Sequence, residues 1–258
     1  MAENSKIEWT HHTFNPWLGC TKISPACDGC YAESWAKRAG YPELWQGSRR
    51  RTTPANWKQP IKWDAAAKAC GKRARVFCAS LADVFDNSIE VQWRSDLFGM
   101  IRQTPNLDWL LLTKRIGNAV SMIEELQEPE KNWWPLPNVW LGATVVTRGE
   151  FDRDVDKLRA TGARILFMSM EPLIESMGDI DLTGIHWVIV GGESGSKSRE
   201  MKAEWAEQIR YRCESYGSSF FFKQGSANNW AHFKDFDTFP PYLQVREWPD
   251  RTSRDSHG

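Results

Sequence analysis

Six short, continuous apolar runs punctuate the chain, at 75–78, 109–113, 139–142, 164–168, 187–190 and 220–222. None alternates polar with apolar residues, so each reads as a strand covered on both faces. A seventh, weaker run lies at 13–17. Between the runs are segments with helical spacing. Ile89, Trp93, Leu97, Met100 and Ile101 share one face, as do Phe151, Val155 and Leu158, and again Trp205, Ile209, Cys213 and Tyr216. Gly162 and Gly217 follow the last two, where a left-handed residue stops a helix. Strand and helix in alternation predict an α/β fold: a parallel (β/α) barrel, a partial TIM-type barrel of about six strands. A doubly wound open sheet is the alternative. No G-x-G-x-x-G follows a strand, which weighs against a dinucleotide fold.

A chain of 258 residues suits one such domain, read here as 1–258 with an irregular extension from about 228, where periodicity stops. The tail 252–258 reads as disordered. Trp133, Trp134, Pro135 and Pro137 mark a rigid loop before the strand at 139–142. Abundant aromatics and a formal net charge of zero exclude intrinsic disorder. No stretch approaches the roughly 18 to 20 apolar residues of a membrane span. The polar N-terminus carries no apolar leader, so the expected compartment is the cytoplasm, where cysteines stay reduced.

Three of the six cysteines, Cys20, Cys27 and Cys30, are spaced C-x6-C-x2-C before a helix expected from Asp28 to Ala39. Two thiolates in C-x2-C reach one centre from a single turn, and Cys20 reaches it across the loop. Thiolates select soft or borderline metals, so iron–sulfur and zinc are the candidates. Zinc wants four closed ligands, and His11 or His12 would complete a Cys3His site in a nucleic-acid-binding module without radical chemistry. Three cysteines without a fourth protein ligand fit a cubane with one open iron instead. Cys78 and Cys213 fall on apolar faces and read as core.

The neutral total hides a basic stretch. Between Gly47 and Arg75 lie Arg49, Arg50, Arg51, Lys58, Lys62, Lys68, Lys72, Arg73 and Arg75 against one acid, Asp64, with Trp57 and Trp63 interleaved. That pattern suits a polyanion surface, and equally a solvated loop and helix face. The 15 tryptophans are expected mostly in the core, with some offering stacking surface for bases.

The three-cysteine loop and the barrel-like alternation together resemble the radical SAM superfamily. More narrowly, the chain resembles an uncharacterised family of phage and prophage proteins related to the spore photoproduct lyase branch. The likeness runs from Ile7 to about Gln224. Its landmarks are the motifs at 15–20, 24–32, 112–115, 169–173, 187–195 and 221–224. One departure stands out: the superfamily spacing is C-x3-C-x2-C with an aromatic before the last cysteine, whereas here the first gap is six and Tyr31 follows Cys30.

The resemblance implies a [4Fe-4S] cluster on Cys20, Cys27 and Cys30, with S-adenosyl-L-methionine chelating the fourth iron. Reduction then releases a 5′-deoxyadenosyl radical that takes hydrogen from a substrate. An electron donor is the implied partner, and a nucleic acid or nucleotide base the implied substrate. A partner-dependent subunit that has lost the radical chemistry is a further possibility.

Polar residues follow each strand, at the end where parallel barrels build active sites. Ser80, Asp83, Lys114, Ser169, Glu171 and Glu193 are the expected cofactor-binding residues. The acids suit a ribose diol or an ammonium group; Lys114 or Arg115 suits a carboxylate or phosphate. Arg49, Arg50, Arg51, Arg115, Lys223 and Gln224 are expected on the substrate. Mutual neutralisation among Lys114, Glu171, Glu193 and Lys223 is the structural alternative. Gly191-Gly192 leaves room for a ligand or makes a tight turn.

Overall fold

The computed structural model describes residues 2–126, 133–195 and 197–250; the tail 252–258 lies outside them. Along the chain run β1 (Ala2–Glu3), β2 (His12–Phe14), β3 (Trp17–Leu18), α1 (Tyr31–Arg38), β4 (Arg50–Arg51), α2 (Pro54–Trp57), α3 (Gln59–Cys70) and β5 (Ala74–Cys78). Then follow α4 (Val91–Gln103), β6 (Leu107–Thr113), α5 (Ala119–Glu124), β7 (Val139–Thr144), α6 (Arg148–Ala160), β8 (Ile165–Met170), β9 (Trp187–Gly191), α7 (Ala203–Tyr216) and β10 (Ser219–Gln224).

The main sheet has the order β1-β2-β5-β6-β7-β8-β9-β10. Strand β1 is antiparallel to β2, and the seven from β2 onward are parallel, curled into a half-barrel with flanking helices. The strand order never reverses, so there is no switch point of a doubly wound sheet. The seven parallel strands match the partial barrel of about six expected, with the weaker run supplying the seventh. The weak run at 13–17 is divided: His12–Phe14 joins the half-barrel, while Trp17–Leu18 pairs antiparallel with Arg50–Arg51. No helix among the described residues is long and apolar enough to cross a membrane.

The continuous apolar runs have a simple cause: both faces of the sheet are buried. Val76, Trp109, Leu111, Leu141, Met168, Val188 and Phe222 belong to the layer under the helices. Phe77, Leu110, Trp140, Phe167, Ile189 and Phe221 fill the concave side around Trp187. Rings of Trp9, Trp140, Phe167 and Phe221 stand 5.6 to 6.3 Å from that of Trp187, mostly edge-on. Each fully buried phenylalanine contributes about 1.5 to 3 kcal/mol. Gly142 makes this plug possible, because a Cβ there would occupy the ring of Phe167.

The helices end as expected, with Gly162 and Gly217 at φ of 63° and 66°. The extension beyond 228 has a structural role. Phe222 N–H donates to Val245 O at 2.9 Å and Glu247 N–H to Phe220 O at 3.0 Å, so the returning chain covers the exposed edge of β10. Phe239 and Leu243 are buried beneath it.

Candidate active site

Because side chains alternate along a strand, the last inward-facing residues of the parallel strands form one layer at their C-terminal ends. Leu112, Thr144, Ser169 and Lys223 occupy that layer, with Glu171 and Glu193 just beyond. They line a cavity whose floor includes Ile7, Trp9 and Phe77, at the top of the aromatic plug. The same cavity is lined by Cys20, Cys27, Cys30, Ser80, Asp83, Lys114 and Gln224. Arg49, Arg50, Arg51 and Arg115 are not among its lining residues.

The cysteine loop is built from local devices. Gly19 has φ of 108° and lies against the carbonyls of Ser48 and Leu44, leaving no room for a Cβ. It directs Cys20 inward, with Cys20 N–H donating to Leu44 O at 3.0 Å. Ser24 caps a 3-10 turn at Pro25–Cys27 and donates from Oγ to Glu150 Oε1 at 2.6 Å. The helix expected to start at Asp28 begins instead at Tyr31, with Cys30 as its N-cap. The Tyr31 hydroxyl donates to Ser80 O at 2.7 Å.

Two arginines clamp this loop from opposite sides. Arg115 Nη1 donates to Cys20 Sγ at 3.4 Å and pairs with Asp83 Oδ2 at 3.3 Å, while Nη2 donates to Thr21 O at 2.8 Å. Burial raises the Cys20 pKa and Asp83 adds to the rise; Arg115 opposes both. Burial also works against the charge on Arg115, but Asp83 and Cys20 outweigh it and raise the Arg115 pKa. On the other side Arg199 makes three hydrogen bonds of 2.9 to 3.0 Å to the Glu193 carboxylate. The same guanidinium donates to Pro25 O at 2.9 Å and to Asp28 Oδ2 at 3.3 Å.

A model of the family described as protein of unknown function (DUF5131) matches residues 4–252. The chain belongs to that family. No curated protein matches it. Among solved structures it is similar to a cysteine-to-alanine mutant of spore photoproduct lyase with dinucleoside spore photoproduct: TM-score 0.55 and 12% identity, over 85% of this chain and 78% of that one. A double mutant of the lyase with bound AdoMet and the same dinucleoside gives a TM-score of 0.53 at 11% identity, over 85% and 77%. At such identities the likeness establishes the fold.

In this DUF5131 member the cavity charges are mostly paired. Lys223 Nζ meets Glu171 Oε1 at 2.7 Å, Ser169 Oγ donates to Glu171 Oε2 at 3.2 Å, and Lys22 meets Glu33 at 2.7 Å. Asp83 accepts from Thr113 Oγ1, Phe85 N–H, Lys114 N–H and Arg115, and is saturated. The mutual-neutralisation alternative thus holds for Glu171 with Lys223, whereas Glu193 is neutralised by Arg199. Lys114 has no ion-pair partner among the described residues. Thr144 Oγ1 is buried in the same wall without a hydrogen-bond partner among the described residues.

Three thiols facing one cavity suit a cubane, in which each binds a different iron and the sulfurs stand well apart. Among the described residues no three His, Cys, Asp or Glu side chains converge closely enough for a single metal ion. The Cys3His zinc alternative would need His11 or His12 beside the cysteine loop. His11 Nδ1 accepts the Arg75 N–H at 2.8 Å, and His12 stacks on Trp63 at 4.4 Å, both at the opposite end of the strands.

The basic stretch disperses. Arg49 forms a 2.6 Å pair with Asp86 in which both side chains are 4% exposed, and it donates to Thr21 Oγ1 at 2.8 Å. Arg51 pairs with Asp96 at 2.6 Å over the Trp57 ring, and Arg50 lies exposed over Tyr41. Lys58, Lys62, Lys68 and Lys72 are exposed on or beside α3, which packs on β5 and β6 from outside. Trp63 is core and Trp57 packs on Phe14. Arg49 is thus spent on holding the cysteine loop, while the four lysines make an exposed basic face.

Two sequence expectations change meaning. Gly192 accommodates the backbone of Gly225 and Ser226, against which a Cβ would collide, and it also lines the cavity. Gln224 Nε2 donates to Gly192 O at 2.9 Å, closing the same turn. Arg199 was absent from the expected site residues. Besides its neighbour Glu193, its partners Pro25 and Asp28 come from the cysteine loop, which no local pattern marks.

Proposed function

We propose that this chain is a radical S-adenosylmethionine enzyme carrying a [4Fe-4S] cluster on Cys20, Cys27 and Cys30, and that it modifies or repairs a nucleic acid or nucleotide base. One observation carries the reading: three thiols from a single loop line the cavity at the C-terminal mouth of a half-barrel, together with a lysine and a buried hydroxyl that have no partner among the described residues. The fold of spore photoproduct lyase, seen with AdoMet and a dinucleoside, supports the cofactor and the substrate class.

When bound, the reduced cluster supplies the electron that splits the sulfonium co-substrate; that chemistry belongs to the cofactor. The chain's own groups bind and shield. Lys114 offers a half-buried ammonium to an anionic group, a carboxylate or phosphate. Thr144 Oγ1 offers a hydrogen bond to a ligand hydroxyl or carbonyl. Glu171, fixed by Ser169 and Lys223, presents a carboxylate edge of set orientation. Trp9 and Phe77 form an apolar floor that keeps water from a reactive intermediate. The single-electron step requires an external donor.

Iron and sulfide analysis of anaerobically reconstituted protein tests the cluster, followed by assay for 5′-deoxyadenosine after reduction with S-adenosylmethionine present. Cys20→Ala, Cys27→Ala and Cys30→Ala each lose the cluster, since two thiolates do not hold a cube. A parent protein that binds one zinc and no sulfide rejects the reading.

A further inference from the structure

The three thiols are not equivalent. Cys20 Sγ accepts a hydrogen bond from a guanidinium, Arg115 Nη1 at 3.4 Å. Among the described residues neither Cys27 Sγ nor Cys30 Sγ accepts one from a side chain. The Arg115 side chain is 8% exposed, so this contact is sheltered from solvent.

The placement of Arg115 does not depend on the thiol. Its backbone N–H donates to Thr113 Oγ1 at 2.8 Å, and Thr113 Oγ1 donates to Asp83 Oδ1 at 2.7 Å. Asp83 Oδ2 then pairs with Nη1, and Thr21 O receives Nη2. The acceptor side is equally fixed, because Arg49 holds the Thr21 hydroxyl and is itself locked to Asp86. A planar fork with several donors meets sulfur, carboxylate and carbonyl together; a lysine point charge does not.

We propose that Arg115 is a positioning residue that keeps its N–H on Cys20 Sγ after that thiolate takes up iron, and so raises the reduction potential of the cluster. The inference rests on the cluster reading above. Hydrogen bonds to the sulfurs and the local net charge set the potential of an iron–sulfur centre. A cationic donor withdraws electron density from the Cys20 corner and favours the reduced state, which carries one more negative charge. Asp83 offsets part of the charge on Arg115 but leaves the directed N–H in place.

The test compares anaerobically reconstituted parent, Arg115→Lys and Arg115→Met. Iron and sulfide per chain are measured, with the midpoint potential read by electron paramagnetic resonance during a dithionite titration. The expected result is parent-like iron in all three, a midpoint shifted to more negative potential in Arg115→Met, and partial recovery in Arg115→Lys. Equal midpoints in loaded parent and loaded Arg115→Met overturn the inference and leave the cluster reading standing. A parent without iron and sulfide overturns both. If Arg115→Met does not load, Arg115→Gln takes its place, and an unchanged midpoint there is equally fatal. Loss of loading in all three variants assigns Arg115 to loop folding alone and also overturns the inference.

Discussion

Gly29 lies against the carboxylate of Glu193, so close that a Cβ at position 29 would collide with Oε1. The residue between the second and third cysteines thus touches the loop after β9, and the carboxylate is not free to yield, because Arg199 holds both of its oxygens. The φ of Gly29 is not in the left-handed region, so the constraint is one of space. Gly29→Ala is expected to cost about 1 to 3 kcal/mol, the usual penalty for overfilling a packed site. It is also expected to lower iron loading well below the parent. Urea unfolding and iron analysis check the two effects separately, and loading equal to the parent contradicts the geometry.

Glu193 makes stability depend on pH. Burial opposes its charge, but the side-chain and backbone hydrogen bonds from Arg199 prevail and hold its pKa below the ordinary carboxylate value. A carboxylate depressed in the folded state adds stability above its unfolded pKa and loses it as pH falls through the folded one. Glu193→Gln is therefore expected to be less stable than the parent at neutral pH by about 1.5 to 3 kcal/mol, the range for hydrogen bonds to charged groups. The difference shrinks in acid. Urea midpoints measured from pH 7 downward read the convergence; a gap that persists at acid pH removes this role.

Arg49 and Arg50 are neighbours with opposite fates. Arg49→Glu places two buried carboxylates together and leaves Asp86 unpaired, so a loss of about 3 to 5 kcal/mol is expected. Arg50→Glu, on the surface over Tyr41, is expected to stay within about 0.5 kcal/mol of the parent. Thermal unfolding of the two variants decides it. An Arg49→Glu protein as stable as the parent means the buried pair does not form.

Lys114 is the cavity cation left without a partner among the described residues. Lys114→Met is expected to weaken binding of S-adenosylmethionine to the reconstituted protein about ten- to a hundredfold, the worth of one charged hydrogen bond. Its stability is expected to match the parent, since no ion pair is broken. Equilibrium dialysis with labelled co-substrate measures the affinity, and an unchanged value removes Lys114 from the site.

Much of this molecule was readable in one dimension. A strand buried on both faces has to be apolar throughout, so the runs from 75 to 222 marked six of the parallel strands directly. The short β2 was blurred because Phe14 and Trp17, three residues apart, enter different sheets. Ser80, Asp83, Lys114, Ser169, Glu171, Glu193, Lys223 and Gln224 all line the cavity, because a residue just past a parallel strand sits at the same mouth. The arginines were read otherwise, Arg49, Arg50 and Arg51 from a basic stretch and Arg115 from a strand end, and none of them lines the cavity. A guanidinium reaches several ångströms from its own backbone, and its partner is whatever carboxylate another segment delivers.

Local order along the chain thus determined the strands, the helices, the cysteine spacing and the residues at the mouth, since each follows from periodicity or from adjacency to a buried run. Only the tertiary structure decided which charges are spent and which are left. Arg49 meets Asp86 across 37 positions and Arg199 meets Asp28 across 171. Such pairings are created when the half-barrel brings distant loops to one end, and no pattern in the neighbouring residues encodes the distance between them.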